Sequence, residues 1–205
     1  MNRLRVVTAA FIAGAVPFSN IAARRKAGVD LRTVGTGTVS GTSLYRVTGF
    51  STLALAGVCD VAKGAVGPLL AGSDRPGLAA VAGGAAVAGH NWSPFLRGAG
   101  GRGLSPAIGA LGATAWPGPV VILSGMVLGK FAKQTGLGAF LGQVVLVPVL
   151  ARTHGKRGAL AALCVVVPMW LKRMAGNAAP DQPSVRVYAH RLLYDTDLAP
   201  VSTTA

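Results

Sequence analysis

The sequence predicts an all-α, polytopic transmembrane helix bundle. Three observations carry that prediction. Charged residues make up only 13% of the 205 residues, while 51% are hydrophobic and mean hydropathy is +0.52. Soluble domains carry about twice that share of charge. Glycine supplies 29 residues, nearly double ordinary usage, and small residues let membrane helices approach closely. Finally, the apolar residues fall into long runs separated by short basic loops, as the positive-inside bias of membrane proteins requires.

Val6–Ala23 follows Arg3 and Arg5 and holds Pro17. No clean cleavage site ends it, so it is read as an uncleaved first helix. The second run is Val47–Ala71. The third, Gly77–Trp92, is nearly all Ala, Gly and Val, a composition for backbone contact with neighbours. Leu104–Phe131 is too long for one span and is punctuated by Trp116-Pro117-Gly118-Pro119, so it is split into two helices. Leu137–Ala151 and Gly158–Leu171 bring the count to about seven spans. With the N-terminus outside and the C-terminus cytoplasmic, the inner segments hold 13 basic residues (Arg24, Arg25, Lys26, Arg32, Arg46, Arg97, Arg102, Lys130, Lys133, Lys172, Arg173, Arg186, Arg191). The outer segments hold six, Arg3, Arg5, Arg75, Arg152, Lys156 and Arg157. Residues 1–176 form the membrane domain, and 177–205 are expected to be a partly disordered cytoplasmic tail in which Ser184–Tyr194 lies along the membrane surface.

The net charge of +14 could signal nucleic acid, but the cations are scattered through loops with no basic helix or aromatic platform, which argues against it. Cys59 and Cys164 sit in apolar runs and read as inert thiols. The sequence lacks GxSxG, Walker, GxGxxG-after-strand and HExxH patterns, and its acids are few, so no metal or cofactor is expected.

Chemistry concentrates in three places. The loop Val29–Arg46, VDLRTVGTGTVSGTSLYR, mixes glycines with hydroxyls and basic flanks, a composition suited to holding phosphate on backbone N–H groups. Asp60 and Lys63 interrupt the second run on one helix face, where intramembrane charges serve a function or fix helix register as an ion pair. The second loop, GHNWSPFLRGAGGRGLS, places His90 and Asn91 beside a basic glycine turn that opens a helix near Leu104, a geometry that favours anions.

These motifs, VGTGTVSGTSLYR, DVAKG and GHNWSPFLRGAGGRG in that order, resemble the bacterial membrane glycerol-3-phosphate acyltransferases that use acyl phosphate as donor. In the first loop Val29, Asp30, Leu31, Arg32, Val34, Gly35, Gly37, Thr42 and Arg46 match the family pattern. Thr36 stands for its Ser, Thr38 and Ser43 stand for its two Asn, and Ser40-Gly41 replaces Gly-Ala. Asp60, Lys63 and Gly64 match D-x-x-K-G. Gly89, His90, Phe95, Gly100, Gly101 and Gly103 match the second loop, with Arg97 and Arg102 in place of lysines. The third motif survives only at Leu171, Arg173 and Gly176, with Val167 and Trp170 at its His and Asn positions.

The resemblance implies transfer of a fatty acyl group from acyl phosphate to glycerol 3-phosphate, without a cofactor, at the cytoplasmic face of the bacterial inner membrane. It casts His90, Lys63 and Arg46 in catalysis. Thr36, Gly37, Thr38, Ser43, Asn91, Gly100, Gly101 and Arg102 are cast in substrate and phosphate binding. Either His90 or a substrate phosphate would take the acceptor proton. The sequence also admits two other readings: a catalytically silent relative that binds lipid intermediates or a partner, and a small membrane transporter subunit.

Overall fold

The structure, a computed structural model, describes residues 1–197. Among them every regular element is helical: α1 (Arg3–Ala15), α2 (Phe18–Ala27), α3 (Gly41–Thr48), α4 (Phe50–Ala71), α5 (Pro76–Asn91), α6 (Leu104–Thr114), α7 (Pro117–Phe131), α8 (Thr135–Ala175) and α9 (Val185–Tyr194). Pro17 divides the first apolar run into α1 and α2. The Trp116-Pro117 break separates α6 from α7, with Pro117 at the first helical position, where its missing N–H costs nothing. The two last apolar runs are merged into α8, but Gly155 has φ 60 and ψ −149, so residues 135–154 and 156–175 are two helices meeting at a kink. Three stretches are long and apolar enough to cross a membrane: Arg3–Ala27, Phe50–Ala71 and Thr135–Ala175.

The first-loop reading needs a correction. Only residues up to Ser40 are loop, because Ser40 caps α3, its hydroxyl accepting from the Ser43 N–H at 3.2 Å. Thr42, Ser43 and Arg46 therefore stand on a short amphipathic helix, with Leu44 buried beneath it. The tail also folds: Ser184 caps α9, which packs on α8. Residues 198–205, the end for which disorder is expected, lie outside the described residues.

Packing follows the small-residue composition. A Cβ on Gly64 would lie 2.0 Å from the Pro106 carbonyl oxygen, and one on Gly109 would lie 1.9 Å from that of Val61, so α4 and α6 touch backbone to backbone. Gly14 and Gly89 join α1 to α5 in the same way, against Ala86 and Phe11. With no aqueous driving force between helices in lipid, such close van der Waals contact is what holds a bundle. Large apolar side chains face outward instead, among them Leu55, Leu69, Leu128, Phe131 and Leu171. This is the pattern of an integral membrane protein.

Candidate active site

One end of the bundle gathers the polar residues. In α4, Asp60 and Lys63 sit one turn apart, 3% and 4% exposed, with Nζ 2.7 Å from Oδ1. Breaking the first helix at Pro17 brings two further partners. The Val16 carbonyl accepts from Lys63 Nζ at 2.6 Å, and Ser19 Oγ donates to Asp60 Oδ2 at 2.7 Å. The ammonium also lies 5.7 Å from the Phe18 ring centre. A buried ion pair is costly unless each charge finds additional hydrogen bonds, and here each finds one. His90, Ser93, Gly100 and Gly101 close over the pair and enclose a cavity of about 10 Å³, room for roughly one water molecule.

The first loop is held by Asp30, which pairs with Arg32 (2.6 Å) and Arg24. Hydrogen bonding from the Arg32 guanidinium holds its carboxyl well below the usual carboxylate range. A turn closes from Gly37 N–H to the Val34 carbonyl at 3.0 Å, with Gly35 and Gly37 at φ 56 and 68. Thr36 Oγ1 donates to Thr38 Oγ1 at 3.1 Å, and Ser43 Oγ to the Thr38 carbonyl at 3.1 Å. Among the described residues the N–H groups of Thr36, Thr38 and Ser40 donate to no protein acceptor. They remain free for an anion.

The second loop is pinned by Ser93, whose hydroxyl donates to the Ala15 carbonyl at 2.6 Å. Gly101 N–H bonds back to the His90 carbonyl, and Val39 N–H reaches the Gly100 carbonyl, each at 3.2 Å. Gly103, at φ 76, opens α6. The two glycine loops are thus in direct contact.

Of the residues singled out from sequence, Lys63, His90, Gly100 and Gly101 share one cavity wall, and Thr36, Gly37 and Thr38 share the adjoining turn, which Ser43 reaches from α3. Arg46 stands exposed on α3. Asn91 is fully buried, and its Nδ2 donates to the Pro168 carbonyl at 2.8 Å, tying α5 to α8. Arg102 Nε lies 2.6 Å from Asp195, and its Nη1 donates to the Lys172 carbonyl.

Sequence reasoning missed Ser19, Ser93, Asn177 and Asp195. The first two had a signal, since each is a serine within two residues of a proline that interrupts or follows an apolar run. Asn177 and Asp195 reach the loops only through the fold. They line, with Thr36 and Arg102, a second hollow of about 50 Å³.

The sequence profile described as "Glycerol-3-phosphate acyltransferase" matches residues 4–178. The chain belongs to that family. It is 34% identical over 154 residues to "Glycerol-3-phosphate acyltransferase 4" of Dehalococcoides mccartyi, covering 74% of this chain and 66% of that protein. The family's proteins from Shouchella clausii and Roseobacter denitrificans are 34% and 32% identical, covering 74% and 82% of this chain and 76% and 85% of their own lengths. The chain thus spans just under two thirds of the Dehalococcoides protein and more of the others. Its fold is similar to the crystal structure of PlsY, an integral membrane glycerol 3-phosphate acyltransferase, in its glycerol 3-phosphate form. That match has a TM-score of 0.74 at 23% identity, over 83% of this chain and 88% of PlsY. The lysophosphatidic acid form of PlsY matches with a TM-score of 0.73 at 19% identity.

Proposed function

We propose that this protein transfers a fatty acyl group from acyl phosphate to the 1-hydroxyl of glycerol 3-phosphate, forming lysophosphatidate and inorganic phosphate. The observation that carries the reading is the buried Asp60–Lys63 pair lying directly under two contacting glycine loops, in a chain of this family. Seven helical crossings, counting α8 as two, with an outside N-terminus and a cytoplasmic C-terminus, would put that end at the cytoplasmic face of the bacterial inner membrane. In this reading 1–176 is the catalytic domain and 177–205 a cytoplasmic tail.

The chemistry asks little of side chains, because the mixed anhydride is already activated. The acceptor oxygen attacks the acyl carbon, the bond from that carbon to the bridging phosphate oxygen breaks, and phosphate leaves with the electron pair. The hydroxyl proton passes to His90 or to the departing phosphate. Charge builds on phosphate oxygens, so positioned cations and N–H donors lower the barrier. Lys63, Arg46 and Arg102 would supply charge, and the free N–H groups of Thr36, Thr38 and Ser40 a cradle for one phosphate. Thr36, Gly37, Thr38 and Ser43 shape that cradle, Gly100 and Gly101 fix the facing wall, and His90 orients the acceptor, while Asn91, buried and bonded to the Pro168 carbonyl, holds α5 against α8.

The test is direct. Purified protein in detergent, given palmitoyl phosphate and glycerol 3-phosphate, should form lysophosphatidate detectable by mass spectrometry. A folded protein that yields none would overturn the reading and favour a silent relative that binds lipid intermediates. A His90→Gln variant whose pH–rate profile matched that of the parent would assign the proton to the phosphate.

A further inference from the structure

Asn177 lies between α8 and α9, 140 residues from Gly37 and 77 from Gly100. Both halves of its amide are engaged. Nδ2 donates to the Gly37 carbonyl and to the Gly100 carbonyl, each at 2.9 Å, and Oδ1 accepts from the Gly100 N–H at 3.1 Å. One side chain from a third part of the chain therefore grips both glycine loops. Near neutral pH, of side chains this size, only an amide can do this, since it presents donor and acceptor side by side.

The consequence follows from peptide geometry. In a trans peptide the carbonyl of one residue and the N–H of the next point in opposite directions. Drawing the Gly37 carbonyl toward Asn177 therefore turns the Thr38 N–H away from it, and that N–H is among the free donors of the first loop. The same logic holds for Gly100, whose carbonyl faces Asn177 while the next N–H, that of Gly101, bonds the His90 carbonyl. The amide thus sets the direction of a cradle donor and the distance between the cradle and the His90 wall.

We infer that Asn177 is a positioning residue that holds the first-loop phosphate cradle in register with the second glycine loop. This rests on the proposed acyl transfer, because its consequence is read in the binding of phosphate-bearing substrates. Asn177 itself touches neither reacting atom. It acts through the Gly37–Thr38 peptide.

The experiment compares Asn177→Ala and Asn177→Asp with the parent protein. Asn177→Ala should raise KM for acyl phosphate and glycerol 3-phosphate about tenfold or more, the scale of effect of a small displacement at a positioned site, with the thermal midpoint nearly unchanged. Asn177→Asp keeps the shape but turns a carboxylate toward two carbonyls. Its deficit should be the larger near neutrality and should shrink as the pH falls toward about 4, where carboxyl protonation restores a donor, while Asn177→Ala shows no such recovery. A purely structural role would show that pH split in the thermal midpoint and the amount of folded enzyme, and leave KM unchanged. Hydrogen–deuterium exchange supplies a readout independent of turnover. In Asn177→Ala, residues 34–38 and 98–102 should exchange faster than in the parent. Unchanged exchange in both segments, or KM values within twofold of the parent for both variants, would overturn the inference. Absence of lysophosphatidate from the parent protein would instead overturn the acyl-transfer reading, and the exchange experiment would still decide the role of Asn177.

Discussion

In the first loop Gly35 and Gly37 have positive φ; Gly35 has nothing within 4 Å of where a Cβ would stand, and Gly37 has one carbonyl at 3.1 Å. In the second loop Gly100 and Gly101 are buried, and an added Cβ would strike the His90 carbonyl oxygen at 2.2 Å or His90 Nε2 at 2.2 Å. The two loops look alike in composition, yet glycine does different things in them. In the first it permits a turn that leaves N–H groups without a protein acceptor. In the second it permits a close approach that locks a joint. A glycine-rich loop is therefore not one kind of site, and burial tells the two kinds apart.

That contrast can be broken in several ways. The largest effect should come from Gly100→Ala, where backbone oxygens at 2.2 and 2.4 Å leave no room for a methyl group. A loss of about 3 kcal/mol or more is expected, read as a collapse of the thermal midpoint in detergent. A midpoint like the parent's would show that the second loop is not a joint. Next, Lys63→Met should leave Asp60 buried without its cation, costing about 3–5 kcal/mol, and should lower turnover at least about a hundredfold. Combining it with Asp60→Asn should restore the thermal midpoint without restoring turnover, which would separate the structural share of the pair from its chemical share.

Smaller effects sharpen the picture of the first loop. Gly35→Ala should cost only about 1–2 kcal/mol, from left-handed strain alone, and show itself mainly as a raised KM. Asp195→Ala should free Arg102 from its carboxylate and lower KM for glycerol 3-phosphate a few-fold, as suits an ion pair worth about 1 kcal/mol or less. The smallest concerns Asp30. Because Arg32 holds its carboxyl well below the usual carboxylate range, the pair's stabilisation is complete at neutral pH, persists down to the ordinary Asp pKa of about 3.9, and fades as pH falls further. Asp30→Asn should lower the thermal midpoint slightly at pH 7 and leave the most acidic part of the profile unchanged.

Much of this was legible because it is local. Trp116-Pro117 divides a run too long for one helix, Gly103 opens α6 where the glycine turn ends, and D-x-x-K puts two charges on one face. The short helix α3 escaped because its glycine and hydroxyls read as loop, although Ser40 with Ser43 carried the capping signal. The partners of the polar residues were harder to read. Lys172 and Arg173 look like free cytoplasmic cations, but both are buried. Lys172 sits 5.5 Å from the Trp92 ring, and Arg173 donates to the carbonyls of Leu192 and Gly136. Such contacts depend on how distant helix ends meet, and nothing in a run of neighbouring residues encodes that.

The crossing of α4 and α6, with Gly64 against Pro106 and Gly109 against Val61, also bears on how this sequence can drift. In a water-soluble domain the outer surface tolerates polar change, and the interior tolerates exchange among bulky apolar residues. Here the outer surface should accept Leu, Ile, Val and Phe almost interchangeably while rejecting charge. The glycine positions at these crossings have room for a hydrogen atom and little else. A saturation scan of the chain would then show its least tolerant sites at its smallest side chains, and the substitution that does most harm there would be a single added methyl group.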